Sequence, residues 1–186
     1  MDVSDLKKNV KLKIDGNPWV VVDFQFVKPG KGQGLYKCKI KNLLTGSVIE
    51  RTWRSGEKLE AADVESRNYQ FLYESGEAFT FMDQETYEQV EVPSDLVGDD
   101  KYFLLDELKV DILFYEGRAV GVTLPSHVIM EVTECEPGVK GDTATGATKE
   151  ATLSTGLTVQ VPLFIKVGER LKIDTRDKKY VERVNG

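Results

Sequence analysis

The chain has 186 residues, of which 40% are hydrophobic and 30% charged, and its formal net charge at pH 7 is −6. This composition is typical of a soluble globular protein with one ordinary domain or two or three small ones, and it excludes a largely disordered chain. No apolar run approaches the roughly 20 residues that cross a bilayer, and the start MDVSDLKKNVKL lacks the apolar core of a secretory signal, so we expect a cytoplasmic protein without a membrane partner.

Apolar and polar residues alternate with a period of two along most of the chain, for example in KLKIDGNPWVVVDFQF and LKVDILFYEGRAVGVTL. This pattern predicts an all-β protein. The turn sequences DGNP (15–18), LTGS (44–47) and YEGR (115–118) each predict a hairpin, because they supply Gly, Asn or Asp where φ must be positive. One short helix is predicted within 93–108, where Pro and Ser offer a start.

Strand density and charge together divide the chain into residues 1–62, 63–127 and 128–186. The first segment holds 12 Lys or Arg against 7 Asp or Glu, the second 4 against 15, and the third 9 against 9. Segments of about 60 residues are near the lower limit for independent folding, so we expect three small closed β-barrels. The positive charge of the first segment suits binding to a polyphosphate such as a nucleic acid. Charge alone equally allows that the charge of each segment only keeps that segment soluble.

The stretch KPGKGQG (28–34) lies between two predicted strands and places Lys31 at the apex of their connection. It is neither a Walker sequence nor a dinucleotide fingerprint, because a strand follows it. Pro29 fixes φ, while Gly30, Gly32 and Gly34 allow a tight turn and a close approach to another surface. The Lys31 amine attracts phosphate and is a nucleophile open to enzymatic modification. An ordinary exposed hairpin lysine remains the alternative.

Residues that would indicate an enzyme or a metal site are few. His127 is the only histidine, and at a predicted domain junction it favours a structural role over a catalytic one. The acidic run DQETYEQVEV (83–92) alternates with apolar residues and is typical of a solvated strand face. Cys38 and Cys135 lack partners at metal spacing, so buried or half-buried thiols are expected. We predict no catalytic residues, no metal and no cofactor.

Three stretches, KPGKGQG (28–34), KEATLSTGLTVQVPLFIKVG (149–168) and DTRDKKYVERV (174–184), fit the motifs of one known family in the same order. The chain resembles that family, bacterial translation elongation factor P, over its whole length. The tip KPGKGQG fits the first-domain loop of the family, and DTRDKKYVERV fits its C-terminal end. The most specific part is KEATLSTGLTVQVPLFIKVG, which fits the family signature at Lys149, Ala151, Gly156, Val159, Val161, Pro162, Ile165 and Gly168. The residue at the apex varies within the family between lysine, as in this chain, and arginine.

The resemblance implies an L-shaped protein in which an SH3-like (KOW-like) barrel precedes two OB-folds. It implies an elongation factor that binds both ribosomal subunits between the peptidyl-tRNA and exit sites and relieves stalls at consecutive prolines. A dedicated enzyme would enlarge Lys31, by β-lysylation or another lysine extension, and the modified tip would position the CCA end of the peptidyl-site tRNA. A monomer is expected.

The resemblance also assigns RNA contacts. Pro29, Gly30 and Gly32 would shape the tip, and four lysines would be available for acceptor-stem phosphates, namely Lys28, Lys37, Lys39 and Lys41. The third-domain loop would lie near the exit-site codon with Gly141, Asp142, Thr143 and Ala144. Tyr180 and Arg183 would meet RNA near the anticodon stem, with an aromatic face and a phosphate fork. For Tyr180 the alternative is an aromatic packed on the barrel.

Two other classes of function stay open. A general single-strand RNA-binding module built from OB-folds would need a groove of exposed aromatics with basic flanks, and the acidic middle segment argues against it. An enzyme would need a pocket around His127 or the acidic run.

Overall fold

The computed structural model of the chain describes residues 1–137 and 146–185. In this part, strands dominate and form three sheets of five strands each. By their internal contacts, residues 1–67 and 112–121 form one compact unit, and the described residues of 68–111 and 122–186 form a second. The predicted boundaries at 62 and 127 stay a prediction. The described residues include no helix that is long and apolar enough to cross a membrane.

The first sheet has the strand order β4-β3-β2-β1-β5. Its strands are β1 Lys11–Ile14, β2 Asn17–Val27, β3 Leu35–Asn42, β4 Val48–Arg54 and β5 Glu60–Ala61. The β1–β2 connection is the predicted two-residue turn, with positive φ at Asp15 (51°) and Gly16 (79°), a geometry that matches the twist of a hairpin. A short 3₁₀ turn, Val3–Asp5, precedes the sheet and adds Val3 to its core.

The core of the first unit lies on one face of this sheet. It consists of Val3, Leu6, Leu12, Val21, Cys38, Ile40 and Trp53. On β3 the alternate residues Cys38 and Ile40 are buried while their neighbours are exposed, which is the period-two pattern of the sequence. Burial raises the pKa of the Cys38 thiol. Cys38 is buried and Cys135 half-buried, and both are free thiols, as expected.

The second sheet has the strand order β10-β9-β6-β7-β8. Its strands are β6 Val64–Ser75, β7 Ala78–Asp83, β8 Gln89–Pro93, β9 Lys109–Tyr115 and β10 Arg118–Thr123. The predicted hairpin at 115–118 is present, with positive φ at Glu116 (49°) and Gly117 (81°). The Phe71 ring packs against those of Phe79 and Phe81, with centroids 6.1 and 5.6 Å apart.

The helix predicted within 93–108 is wrong over most of its length. An α-helix (α1) covers only Ser94–Val97, and a 3₁₀ segment, Gly98–Phe103, follows it. Gly98 has φ +57°, which ends the α-helix. Phe103 is fully buried among residues of the third sheet, so core packing sets this backbone in place of helix propensity.

The third sheet has the strand order β13-β12-β11-β14-β15. Its strands are β11 His127–Cys135, β12 Thr148–Leu153, β13 Thr158–Pro162, β14 Arg170–Asp174 and β15 Lys179–Val184. Its buried residues form one cluster with Phe103, whose other members include Met130, Leu153, Val161, Ile165, Leu171 and Ile173.

Asp174 holds the β14–β15 turn. Its carboxylate accepts hydrogen bonds from the Arg176 guanidinium at 3.2 Å and from the backbone N–H groups of Arg176 and Asp177 at 2.8 and 3.2 Å. These donors, the Arg176 guanidinium first, lower the pKa of Asp174 to about 2. The stabilisation of the folded state by these hydrogen bonds to Asp174 is therefore complete above the unfolded-state pKa of about 3.9, and it is lost as the pH falls through about 2.

We expect Asp174→Asn to flatten the acid limb of the stability curve, because the amide keeps an oxygen for the turn but does not titrate. Urea midpoints between pH 4 and pH 2 should fall less in this variant than in the parent. Asp106→Asn is the control, since Asp106 is exposed and has no ion pair among the described residues. Equal acid-induced losses in the parent and in Asp174→Asn would contradict this account.

Candidate functional site

The segment that carries Lys31 connects the two longest strands of the first sheet. β2 and β3 stay paired up to Val27 and Leu35, so the seven residues 28–34 form the connection between them. The Gly32 N–H donates to the Pro29 carbonyl at 3.2 Å, which closes a turn with Lys31 as its third residue. Lys31 therefore lies at the apex, as the sequence predicts.

Aromatic rings and one buried glycine fix the base of this tip. The rings of Phe26 and Tyr36 pack across the hairpin with centroids 4.8 Å apart. The Gly34 carbonyl accepts hydrogen bonds from the Ser55 N–H at 2.9 Å and from its hydroxyl at 3.2 Å. The tip is thus tied to the end of β4 as well as to β2 and β3, which limits the positions that its apex adopts.

The three glycines of the tip have different roles. None of them has the positive φ that only glycine adopts readily. A Cβ on Gly34 would lie 2.6 Å from the Phe26 ring and 2.7 Å from the Ser55 hydroxyl, so Gly34 serves a close approach inside the chain, whereas the sequence predicts an approach to another surface. A Cβ on Gly30 would meet nothing within 4 Å, and one on Gly32 would make only ordinary contacts with Pro29. The fold itself therefore leaves Gly30 and Gly32 free to be larger.

The lysines predicted to meet phosphate are exposed. Lys28 and Lys31 are exposed on the tip, and within the described residues the Lys31 side chain makes no hydrogen bond or ion pair. Lys37, Lys39 and Lys41 alternate with the buried side of β3 and share its solvent face. The structure thus places these three lysines on one surface.

The two predicted residues of the C-terminal strand share one face of the third sheet. Ile173 pairs with Tyr180 and Leu171 with Arg183, and the register shift leaves Val181 as an extra residue between them. Directly paired residues point to the same side, so this β-bulge brings Tyr180 and Arg183 to the face of the buried Leu171 and Ile173. Strict alternation would have placed them on opposite faces.

The surroundings of the two residues differ. Tyr180 is half-buried and packs against the core cluster, in agreement with the alternative of an aromatic packed on the barrel. The Arg183 guanidinium lies over the ring of Phe164, 5.2 Å from its centroid, and Arg183 Nη1 is 3.3 Å from Glu169 Oε1. Sequence analysis did not single out Phe164 or Glu169. The alternating apolar residues of LTVQVPLFIKV are typical of a strand, whereas β13 ends at Pro162, so the sequence carries no signal for an exposed aromatic in this connection.

The family signature residues mostly build the core. Ala151, Val159, Val161 and Ile165 are buried in the cluster of the third sheet. The ammonium of Lys149, only 8% exposed, donates to the Glu136 carbonyl at 2.6 Å. The predicted contact residues Gly141, Asp142, Thr143 and Ala144 lie outside the described residues.

His127 makes structural contacts at the start of β11. It pairs with Asp174 across the sheet, and its Nε2 is 3.7 Å from Asp174 Oδ2, beyond hydrogen-bond distance. His127 Nδ1 is 3.1 Å from the hydroxyl of the adjacent Ser126. The carboxylate that would orient the ring for catalysis, that of Asp174, instead accepts hydrogen bonds from Arg176 and the turn. No group of three or more His, Cys, Asp or Glu side chains that would hold a metal exists in the described part of the chain.

Three family models match successive parts of the chain. The Elongation factor P (EF-P) KOW-like domain matches residues 2–59, the Elongation factor P (EF-P) OB domain matches residues 64–122, and the model for Elongation factor P, C-terminal, matches residues 128–183. Together with the three curled sheets, these matches confirm the predicted all-β fold with a KOW-like domain before the OB part.

Curated proteins and solved structures agree with this assignment. Elongation factor P of Desulfosudis oleivorans is 51% identical over 98% of both chains, and that of Picosynechococcus is 48% identical over 97% of both. A solved structure named eukaryotic translation initiation factor 5A from Methanococcus jannaschii is 26% identical, with a TM-score of 0.53 over 67% of this chain and 93% of that one. The chain therefore belongs to the elongation factor P family, a family of translation factors.

Proposed function

We propose that this chain is an elongation factor that binds the ribosome between the peptidyl-tRNA and exit sites and accelerates peptide-bond formation at consecutive prolines. The observation that carries the proposal is the exposed Lys31 at the apex of a tip whose base is fixed by Phe26, Tyr36 and Gly34. A flexible amine on a fixed support is suited to positioning a partner molecule. The family membership supports the same role.

The contribution to catalysis is positional. Proline is a poor acceptor because its ring restricts φ and orientation. The rate of peptide-bond formation with such a slow acceptor rises when the peptidyl-tRNA end is held in a reactive geometry. Lys31, extended by a dedicated enzyme through β-lysylation or a similar reaction, contacts the CCA end. The ribosome performs the chemistry, and the factor lowers the entropic part of the barrier.

The surroundings of the tip suit a narrow, phosphate-lined site. Residues 1–62 carry a net charge of +5, and Lys37, Lys39 and Lys41 present three ammonium groups on one face of β3 for acceptor-stem phosphates. Gly30 has no neighbour that forbids a side chain. In the proposed site, a partner surface close to Gly30 accounts for the small residue at this position.

The third sheet supplies a second set of RNA contacts. Arg183 presents a guanidinium next to an aromatic ring, and Tyr180 lies on the same face of β15. We propose that both meet RNA near the anticodon stem of the peptidyl-site tRNA, with the loop residues 141–144 near the exit-site codon. The protein acts in the cytoplasm as a monomer.

The proposal is tested by reconstituted synthesis of a peptide with three consecutive prolines. The protein should raise the rate of the proline-containing message and leave a matched message without prolines unchanged. Equal rates with and without the protein would overturn the proposal, and an equal effect on both messages would indicate general RNA binding instead. Intact-mass measurement of protein from its native cells should show an addition on Lys31.

A further inference from the structure

An exposed phenylalanine lies beside two cationic side chains in the connection between β13 and β14. Phe164 is 55% exposed, although its neighbour Ile165 is fully buried. The Arg183 guanidinium covers part of the ring at 5.2 Å from its centroid, within the range of a cation–π contact. Lys166 is exposed two residues further along, and within the described residues its ammonium has no ion pair.

We propose that Phe164, Arg183 and Lys166 form a stacking site for an unpaired nucleobase of RNA. The ring would stack on the base, and the two cations would contact the phosphates on either side of it. The inference extends the RNA contact proposed for Arg183 and so rests on the proposed function, but it assigns the base contact to a residue that neither the sequence comparison nor the sheet pattern singles out.

The position of Arg183 supports this arrangement. Glu169 Oε1 accepts from Nη1 at 3.3 Å, and Phe164 lies beneath the guanidinium, so two contacts hold the group in place before RNA binds. A guanidinium has five N–H donors, and one carboxylate contact leaves several for phosphate. The aromatic and the cation are thereby arranged as in other single-strand RNA sites, where stacking and backbone charge act together.

The shape next to the ring also suits a nucleotide. Phe164 lines a groove of about 500 Å³ whose other walls include Cys135, Leu163, Ile165 and Val167. Val167 is 59% exposed, so the groove continues the apolar surface of the ring. A base has apolar faces and polar edges, and a groove with Lys166 at its side and Arg183 over the ring matches both.

RNA is favoured over an apolar protein segment because of the charge. An apolar protein side chain that docks in such a groove would pack against leucine as well as against phenylalanine at position 164. It would form no specific contact with the two cations. Glu169 is already paired with Arg183. The groove walls hold one further anion, Glu136, against two cations, Lys149 and Lys166. The free cationic capacity therefore points to phosphate.

The test is a nuclear magnetic resonance titration of the full chain with a single-stranded adenosine hexanucleotide and with an abasic hexamer of the same charge. We expect saturable shifts of the Phe164 ring signals with the adenosine hexamer only. Phe164→Leu should weaken binding about five- to hundredfold, the range for loss of one aromatic stack, whereas Phe164→Trp should restore it. Tyr73→Leu is the matched control, because it removes an exposed aromatic ring of β6 that does not line this groove, and it should leave binding unchanged.

Three outcomes would overturn the stacking site: no saturable binding, equal shifts with the abasic hexamer, or unchanged affinity in Phe164→Leu. The last result would indicate an apolar protein contact. The outcome is independent of the proline assay. If Phe164→Leu binds RNA like the parent while the protein still relieves proline stalls, the stacking site fails and the proposed function stands.

Discussion

Replacing Lys31 by alanine is expected to reduce synthesis of a triple-proline peptide to the rate without the factor. Lys31 is the side chain at the apex of the tip, and in the proposed function its extended amine is the group that meets the CCA end. Positional catalysis is steep, since a misplacement of about 1 Å is able to cost about 10²-fold in rate. A variant that ends at Cβ removes the contact entirely. The measurement is the peptide-formation time course in a reconstituted system.

The folded state should not change in this variant. Lys31 is exposed and makes no hydrogen bond or ion pair with any described residue, so the thermal midpoint of Lys31→Ala should equal that of the parent. Lys28→Ala is the matched control, because it removes an equal charge from the same tip and should lower activity only slightly and in a salt-dependent way. Full stall relief by Lys31→Ala would contradict the assigned role, and a lowered midpoint would contradict the structural account.

Local turn chemistry and strand alternation were predictable from the sequence. The pairs Asp15-Gly16 and Glu116-Gly117 each include a glycine, which adopts positive φ readily, and both residues of each pair have positive φ. On β3 the alternation of lysines with Cys38 and Ile40 appears directly in the burial of the strand. These features depend on neighbours in sequence, which explains why the residues alone predict them.

Features that depend on distant neighbours were not predictable. The helix expected within 93–108 gives way to a 3₁₀ segment because Phe103 is drawn into the core of the third sheet. The shared face of Tyr180 and Arg183 depends on the bulge at Val181, and the register with β14 creates that bulge. Neither partner strand nor register is visible in the letters DTRDKKYVERV.

The family signature and the candidate contact residues occupy different places in the third sheet. Ala151, Val159 and Val161 are buried, so this stretch identifies the fold by its packing. Phe164 and Arg183 lie outside that core, in a connection and at the end of the edge strand β15. A sequence match to the signature therefore establishes the fold, while the chemistry of recognition depends on loops that the signature covers only in part.

A second large effect is expected at the base of the tip, where Gly34→Ala should destabilise the protein by about 1–3 kcal/mol. The new Cβ would lie 2.6 Å from the Phe26 ring and 2.7 Å from the Ser55 hydroxyl. To make room, the ring must shift from its packing with Tyr36, where the centroids are 4.8 Å apart, and the Ser55 hydroxyl must shift from its hydrogen bond to the Gly34 carbonyl. The urea midpoint measures this loss, and a midpoint equal to that of the parent would contradict it.

Gly30→Ala is the matched control, and it separates packing inside the chain from contact with a partner. Its Cβ would meet nothing within 4 Å and its φ is not positive, so the urea midpoint should be unchanged or slightly higher, because alanine restricts the unfolded chain. Its activity on the triple-proline message should nevertheless fall, since the proposed site encloses the tip from outside. A Gly30→Ala protein with normal stability and normal activity would refute a close approach at this position. Gly34→Ala, in contrast, should lose stability and activity together, because the displaced base carries Lys31 away from the position that its role requires.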